Sequence, residues 1–199
     1  MEKSKIIEKV LRCLDEVGVT STLSPTIDYP MEQFLDESGR QVLHSAPIFA
    51  VGNFNDFSKT AIVNSNDGTG KVLLPKDFIK LVAFRMKGWK RDATRLYDIY
   101  DSIYYRQSNK YLRGNSLNPV VIRDNNFLRY YSLPLNSIHT IERAEAVVNI
   151  PIGSEYPEIL TDSLAWLTAS KILDVLSENS QAEMARGEYT QTMNILKVS

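Results

Sequence analysis

The stretch Val82-Ala83-Phe84-Arg85-Met86-Lys87 decides the fold class, because apolar and charged side chains alternate along it. One face carries Val82, Phe84 and Met86, and the opposite face carries Arg85 and Lys87. A period of two is typical of a half-buried β-strand. The sequence therefore predicts a β layer in the middle of the chain.

Further strands are predicted on the C-terminal side of this stretch. Residues 119–123 and 127–131 flank Asp124-Asn125-Asn126, whose residue types tolerate the positive φ of a tight hairpin. Residues 142–150 indicate one more strand, which ends before Pro151. Residues 101–112 are compatible with a short helix or with a long aromatic-rich loop, and the sequence leaves both open.

Both ends of the chain have helical patterns. Apolar residues recur every three or four positions from 6 to 17 and stop before Gly18. A second helix is expected to begin at Asp28-Tyr29-Pro30 and to end at Ala46-Pro47.

The C-terminal helices have two expected boundaries. A helix opening at Pro157 carries apolar residues on more than one face, which predicts burial on two sides, and Asn179 is expected to end it. Ser180 and Glu183 then match a capping box that opens the last helix.

These elements predict an α+β fold, in which N- and C-terminal helices form a helical bundle and a strand-rich antiparallel β insertion lies between them. We expect one domain over residues 1–199. Its helical body is expected to comprise residues 1–50 and 155–199, and its β-rich insertion residues 60–151.

Composition narrows the function classes. The 199 residues contain 23 Lys plus Arg against 24 Asp plus Glu, so no global basic excess drives nucleic-acid binding. The single cysteine, Cys13, cannot form an internal disulfide, which fits a reducing cytoplasm. We expect no signal peptide and no membrane partner, because no apolar run reaches the roughly 18 residues of a membrane span.

The sequence offers no recognisable reaction centre. His44 and His139 are its only histidines and have no local partner motif, while Cys13 lies in an apolar helical run that favours packing over nucleophilic chemistry. Gly68-Thr69-Gly70-Lys71 lacks the remaining residues of a phosphate loop and precedes a strand. We therefore expect no catalytic residues, no cofactor, no metal and no enzymatic activity.

Two features suggest binding surfaces. Four cations, Arg85, Lys87, Lys90 and Arg91, fall within one basic segment, residues 85–91. Either they solubilise a strand end, or they contact the phosphates of a nucleic acid such as DNA or an acidic neighbouring protein. Aromatic residues with polar ends are enriched at protein interfaces. The candidate interface aromatics are Trp89, Tyr104, Tyr105, Tyr130 and Tyr131.

The order of several tracts resembles a known family. Leu73–Val82 contains Leu-Pro-Lys-Asp-Phe and is followed by three further tracts before a final helix around Glu188-Tyr189. These tracts are Asn118-Pro119-Val120, Tyr130-Tyr131-Ser132-Leu133-Pro134 and Asp162-Ser163-Leu164-Ala165-Trp166-Leu167-Thr168-Ala169. Over residues 70–199 the chain is similar to the head-to-tail adaptor, or tail-tubular ring, proteins of short-tailed phages, especially the ring proteins of crAss-like phages.

The resemblance implies a structural virion protein at the head-tail junction, assembled in the cytoplasm of a host bacterium. Such adaptors form a dodecameric homo-oligomeric ring below the portal protein, extend the channel for phage DNA and dock further tail or ring proteins. They have no catalytic residues to transfer. Two alternatives stay open, namely a nucleic-acid-binding module that uses residues 85–91 and a small enzyme such as a virion hydrolase.

Overall fold

The computed structural model describes residues 2–18, 31–65, 67–153 and 155–198. Within them lie six α-helices, eight strands and one 3-10 helix. In chain order they are α1 (Lys3–Glu16), α2 (Met31–Ser45), α3 (Ile48–Val51), β1 (Asn55–Asp56), β2 (Ile62–Asn64), β3 (Gly70–Leu73), β4 (Phe78–Met86), β5 (Leu96–Asp98), α4 (Ser102–Arg106), β6 (Val121–Asp124), β7 (Phe127–Tyr130), β8 (Ile141–Val148), the 3-10 helix (Glu158–Leu160), α5 (Thr161–Val175) and α6 (Asn179–Val198).

The predicted α+β class is confirmed, with helices at both ends and strands between them. The chain divides into two compact units. The helical unit comprises Met1–Gly52 and Asn149–Ser199, and the β unit comprises Asn53–Val148.

The helical unit is organised around α5, which packs against α1, α2 and α6. Leu164, Ile172 and Leu173 of α5 are buried, and so are the small polar residues Thr168 and Ser170. Burial of α5 on more than one side agrees with the prediction from its wide apolar pattern. The Thr168 hydroxyl donates to the Leu164 carbonyl at 2.8 Å, which removes the cost of burying an unpaired hydroxyl.

The helix boundaries follow the sequence at α1 and depart from it between α5 and α6. Helix α1 ends just before Gly18, as predicted, whereas the predicted start of α2 at residues 28–30 lies outside the described residues. Asn179 begins α6 instead of ending α5, because the chain already reverses at Ser177, which has φ +63°.

The predicted capping box is wrong for the same reason. The Glu178 N–H donates to the Leu173 carbonyl at 3.0 Å, and α6 begins one residue later. Ser180 therefore lies inside α6, and the Glu183 carboxylate pairs with Arg186 on the next turn.

The β unit contains two sheets, with strand orders β1-β8-β4 and β2-β3-β7-β6-β5. The predicted hairpin is confirmed as β6–β7, in which Asp124 pairs with Phe127 and Asn125 takes φ +53°. All the described strand pairs are antiparallel except β5–β6, which is parallel. Residues 97–112 contain the end of β5, the short helix α4 and a series of turns.

Strand β4 exists as predicted, but its two faces differ from the simple alternation. Register shifts between Phe78 and Lys80 and between Leu81 and Ala83 interrupt its pairing with β8. A β-bulge inserts one residue and so reverses which residues face the core. The core-facing residues are therefore Phe78, Leu81, Phe84 and Met86, and most of the opposite face is buried as well.

Aromatic packing joins the two sheets in one core. The ring of Phe84 on β4 lies 5.8 Å from the Trp89 ring and 6.2 Å from the Tyr130 ring of β7. Edge-to-face and tilted contacts at these centroid distances are favourable. In the part of the chain that the structure describes, no helix combines the length and apolar character needed to cross a membrane.

Candidate functional site

The four cations of the basic segment 85–91 divide into one within strand β4 and three on the turn that follows it. Arg85 belongs to β4 and is directly opposite Arg143 of β8. Like charges facing each other across two strands are destabilising unless other groups compensate them. Asp92 supplies that compensation, because its Oδ1 lies 3.4 Å from Arg85 Nη1 and its Oδ2 lies 2.8 Å from Arg143 Nη1.

Two further carboxylates complete this ion-pair network. Glu142 Oε2 lies 3.2 Å from Arg85 Nε, and Glu145 Oε2 lies 2.7 Å from Arg143 Nη2. Two arginines thus face three carboxylates, and the arrangement carries no positive excess. The prediction that Arg85 and Lys87 form one cationic face is corrected, because Arg85 is neutralised on the sheet and Lys87 lies beyond the strand.

The remaining three cations of the segment, Lys87, Lys90 and Arg91, are exposed on the turn after β4. Backbone hydrogen bonds fix this turn. The Lys87 N–H donates to the Thr140 carbonyl at 2.8 Å, and the Lys90 N–H donates to the Ser116 carbonyl at 2.8 Å. These three residues are therefore the part of the segment that can meet a partner.

The candidate interface aromatics fall into two groups. Trp89 and Tyr130 are buried in the core of the β unit, where their rings lie 6.5 Å apart. Their assignment as interface residues is corrected, because contacts inside the unit already cover both rings. Tyr104 and Tyr131 are half-buried, and Tyr105 is exposed.

The segment 99–118, named here the tyrosine loop, exposes large apolar side chains on an ordered backbone. Tyr100, Tyr111 and Leu112 are 85%, 82% and 63% exposed. Buried Gln107 holds the loop together, because its Nε2 donates to the Ile103 carbonyl at 2.8 Å and its Oε1 accepts from the Gly114 N–H at 3.0 Å. The loop is thus ordered by its own side chains.

The residues considered for nucleophilic chemistry lie in different units. Cys13 and His44 belong to the helical unit and His139 to the β unit. Burial, with Glu16 and Asp162 nearby, raises the pKa of the Cys13 thiol to about 12, which opposes thiolate formation. Among the described residues, no group of three or more His, Cys, Asp and Glu side chains is arranged to hold a metal ion.

Sequence reasoning missed the two residues that organise these surfaces, Asp92 and Gln107. Asp92 directly follows the basic segment, and an acidic residue at the end of a cationic run is a signal for local pairing. Gln107 carries no comparable signal, because its two partners are backbone groups that only the folded loop brings near.

A scan of the chain against models of known protein families finds no match, and a search of curated proteins finds no significant match.

Proposed function

We propose that this protein is a structural subunit that assembles into a ring, in the role of a head-to-tail adaptor of a short-tailed phage. The observation that carries the proposal is the tyrosine loop, which presents exposed aromatic and aliphatic side chains on a backbone already ordered by Gln107. An interface that is ordered before binding loses less conformational entropy on association.

A closed ring needs two dissimilar surfaces on each subunit, because its contacts are head-to-tail. The tyrosine loop supplies one surface in the β unit. The helical unit offers a second surface of different chemistry, which lies on one face of α6 between Gly187 and Val198. Ile195 and Val198 give this surface an aliphatic character without aromatic rings.

The partners follow from the resemblance to the adaptor family. They are other copies of the chain in a dodecameric ring, the portal protein above, further tail or ring proteins below and phage DNA in the channel. Lys87, Lys90 and Arg91 are the cations available for the portal or for DNA. Repeated around an axis, even three cations per subunit sum to a field that matters for a polyanion.

The alternative is a nucleic-acid-binding module that uses residues 85–91. It is weakened because Asp92 and Glu142 neutralise Arg85. Replacing Lys87, Lys90 and Arg91 by Glu distinguishes the two roles. An adaptor is expected to keep forming rings while losing DNA retention in assembled particles, whereas a simple binding module is expected to lose DNA affinity and to form no rings at all.

Electron microscopy of the purified chain tests the proposal, alone and with the portal protein from the genome that encodes it. We expect rings that depend on the tyrosine loop. A variant with Tyr111→Ser and Leu112→Ser is expected to remain folded and to lose the rings. Ile138→Ser is the matched control, because Ile138 is an equally exposed apolar residue of the β unit outside the loop.

Two results would contradict the proposal. One is a wild-type chain that stays monomeric both alone and with its portal protein. The other is normal ring yield from the Tyr111→Ser, Leu112→Ser variant, since the loop would then contribute nothing to assembly.

A further inference from the structure

Two cavities of the β unit adjoin each other on the outer side of the five-stranded sheet. Their volumes are about 210 and 310 Å³, and both are lined by Thr69, Arg129 and Tyr131. Because they share these three lining residues, the two cavities are neighbours, and together they are named here the sheet groove. A groove of this size suits a small ligand or one unit of a polymer.

Cations dominate the charged lining of the sheet groove. They are Lys71, Arg113 and Arg129, against the single lining carboxylate of Asp67. Lys71 of β3 pairs directly with Arg129 of β7, so two like charges face each other across the strands. The whole chain has a net charge of −1, so this is a local excess.

The nearby carboxylates compensate this charge only in part. Asp67 already accepts hydrogen bonds from the Thr69 N–H at 3.0 Å and the Thr69 hydroxyl at 2.7 Å. Asp124 pairs with one terminal nitrogen of Arg129 at 2.5 Å, and Tyr131 is hydrogen-bonded to the same side chain. Among the described residues, no ion pair involves Lys71 or Arg113. The groove therefore keeps donors and positive charge for an anion.

Tyrosine rings border the same cations. Tyr104 and Tyr105 of α4 pack edge to face, with their ring centroids 5.7 Å apart, and both line the groove beside Arg113. Tyr105 is largely exposed, so one of its faces can receive another planar ring. Cations that hold a phosphate beside an aromatic ring that stacks on a base are the recurring elements of sites for single-stranded nucleic acid.

We propose that the sheet groove binds a nucleotide unit, with its phosphate on Lys71, Arg113 and Arg129 and its base stacked on Tyr105. The unit comes either from a free mononucleotide or from a single strand, since both present the same phosphate and base. The site is separate from the basic segment 85–91. Tyr105 and Arg113 also belong to the tyrosine loop, so binding is expected in the chain before it assembles into a ring.

Isothermal titration calorimetry of the full chain tests this site with three probes at low salt. AMP and a twelve-residue oligothymidylate carry both groups, and ribose 5-phosphate carries the phosphate without a base. We expect ribose 5-phosphate to bind about tenfold more weakly than AMP, because it cannot stack. If AMP binds, a free mononucleotide is a sufficient ligand. If the oligonucleotide binds and AMP does not, the ligand is a single strand.

Three variants locate the binding. Arg113→Gln and Tyr105→Ala are each expected to weaken it by about tenfold. Arg106→Gln is the matched control, because Arg106 lies on the same helix as Tyr105 but does not line the groove. Circular dichroism checks that each variant is folded. Because Tyr105 is exposed, Tyr105→Ala is expected to fold even if Arg113→Gln does not, and it then tests the site by itself.

The proposal is overturned if neither AMP nor the oligonucleotide binds, or if Tyr105→Ala binds as the wild type does. It is also overturned if polyglutamate binds as tightly as the oligonucleotide, since the groove would then recognise negative charge alone. Ring formation is measured separately by electron microscopy. A wild-type chain that forms rings but binds no nucleotide would contradict the groove alone, and one that binds nucleotide but forms no rings would contradict the adaptor role alone.

Discussion

The hydroxyl oxygen of Tyr130 lies 2.5 Å from Nδ1 of His139, in a hydrogen bond beside the aromatic core of the β unit. Tyr130 is fully buried, and His139 is only partly exposed. A buried hydroxyl requires a partner, and His139 supplies it. The structure thus assigns His139 a role in the core, where the sequence offered only an isolated histidine.

Stability is expected to fall at mildly acidic pH because of His139. Burial lowers the pKa of its imidazole below the ordinary value of about 6.5, while the nearby Asp67 carboxylate opposes this shift. The unfolded chain then binds the proton more readily than the folded chain. The neutral imidazole of His139 therefore contributes to the free energy of unfolding. That contribution is complete above the pKa of the unfolded chain and is lost as the pH falls through the pKa of the folded chain.

Urea unfolding between pH 8 and pH 5 measures the effect. His139→Gln is expected to flatten the pH dependence in the window below about 6.5. His44→Gln is expected to keep it. An identical pH profile for the wild type and His139→Gln would show that other groups cause the dependence.

Gly68→Ala is expected to destabilise the β unit strongly. Gly68 has φ +79°, and a Cβ there would lie 2.0 Å from the Leu133 carbonyl oxygen, which belongs to the backbone and cannot rotate away. Backbone strain of this kind costs about 1–3 kcal/mol, and the steric clash adds to it. Thermal unfolding measures the loss.

Gly187→Ala is the control for that experiment. Gly187 lies inside α6, and a Cβ there would meet no atom within 4 Å. It is expected to stabilise the protein by up to about 1 kcal/mol through helix propensity. Equal melting temperatures for the two variants would contradict this account of Gly68.

Asp92→Asn is expected to cost about 1 kcal/mol, the upper end of the range for partly exposed ion pairs. The change removes the charge that separates Arg85 from Arg143, and Arg85 is half-buried. Chemical denaturation gives the free energy of unfolding. Asp36→Asn, an exposed position on α2, is expected to have little effect.

A double-mutant cycle strengthens the test of this network. The cost of Asp92→Asn is expected to shrink in an Arg143→Ala background, since the like-charge pair is then gone. Strict additivity of the two changes would show that Asp92 does not couple to Arg143.

Leu164→Ala is expected to cost about 2–5 kcal/mol, because its side chain is fully buried in the helical unit. Val175→Ala on the same helix is the control, because Val175 is more than half exposed. Thermal and urea unfolding compare the two. A change at Leu164 no larger than that at Val175 would remove Leu164 from the core.

Local chemistry explains where sequence-based prediction succeeds. The β6–β7 hairpin is specified by Asn125, whose side chain tolerates the positive φ that the turn requires. Helix α1 follows from its apolar periodicity, and α5 follows from apolar residues that occupy more than one of its faces. Each of these features depends on neighbours within a few residues, so the sequence carries it directly.

The candidate site was less predictable, because its properties depend on distant residues. Alternation placed Val82 on the same face as Phe84, but bulges in the pairing with β8 moved Leu81 there instead. The cation of Arg85 is neutralised by Glu142, which is 57 positions away and adjacent only across the sheet. Burial of Trp89 and Tyr130 likewise requires the two sheets to meet.

The sequence by itself determined the α+β class, the helical ends, the β insertion and the hairpin, because propensity, turn chemistry and periodicity act locally. Only the tertiary structure decided which cations stay unpaired, which aromatic rings remain exposed and which side chains border the sheet groove. Charge compensation and burial are properties of side chains that meet across strands. Lys71 and Arg129 are 58 positions apart, yet strand register places them side by side.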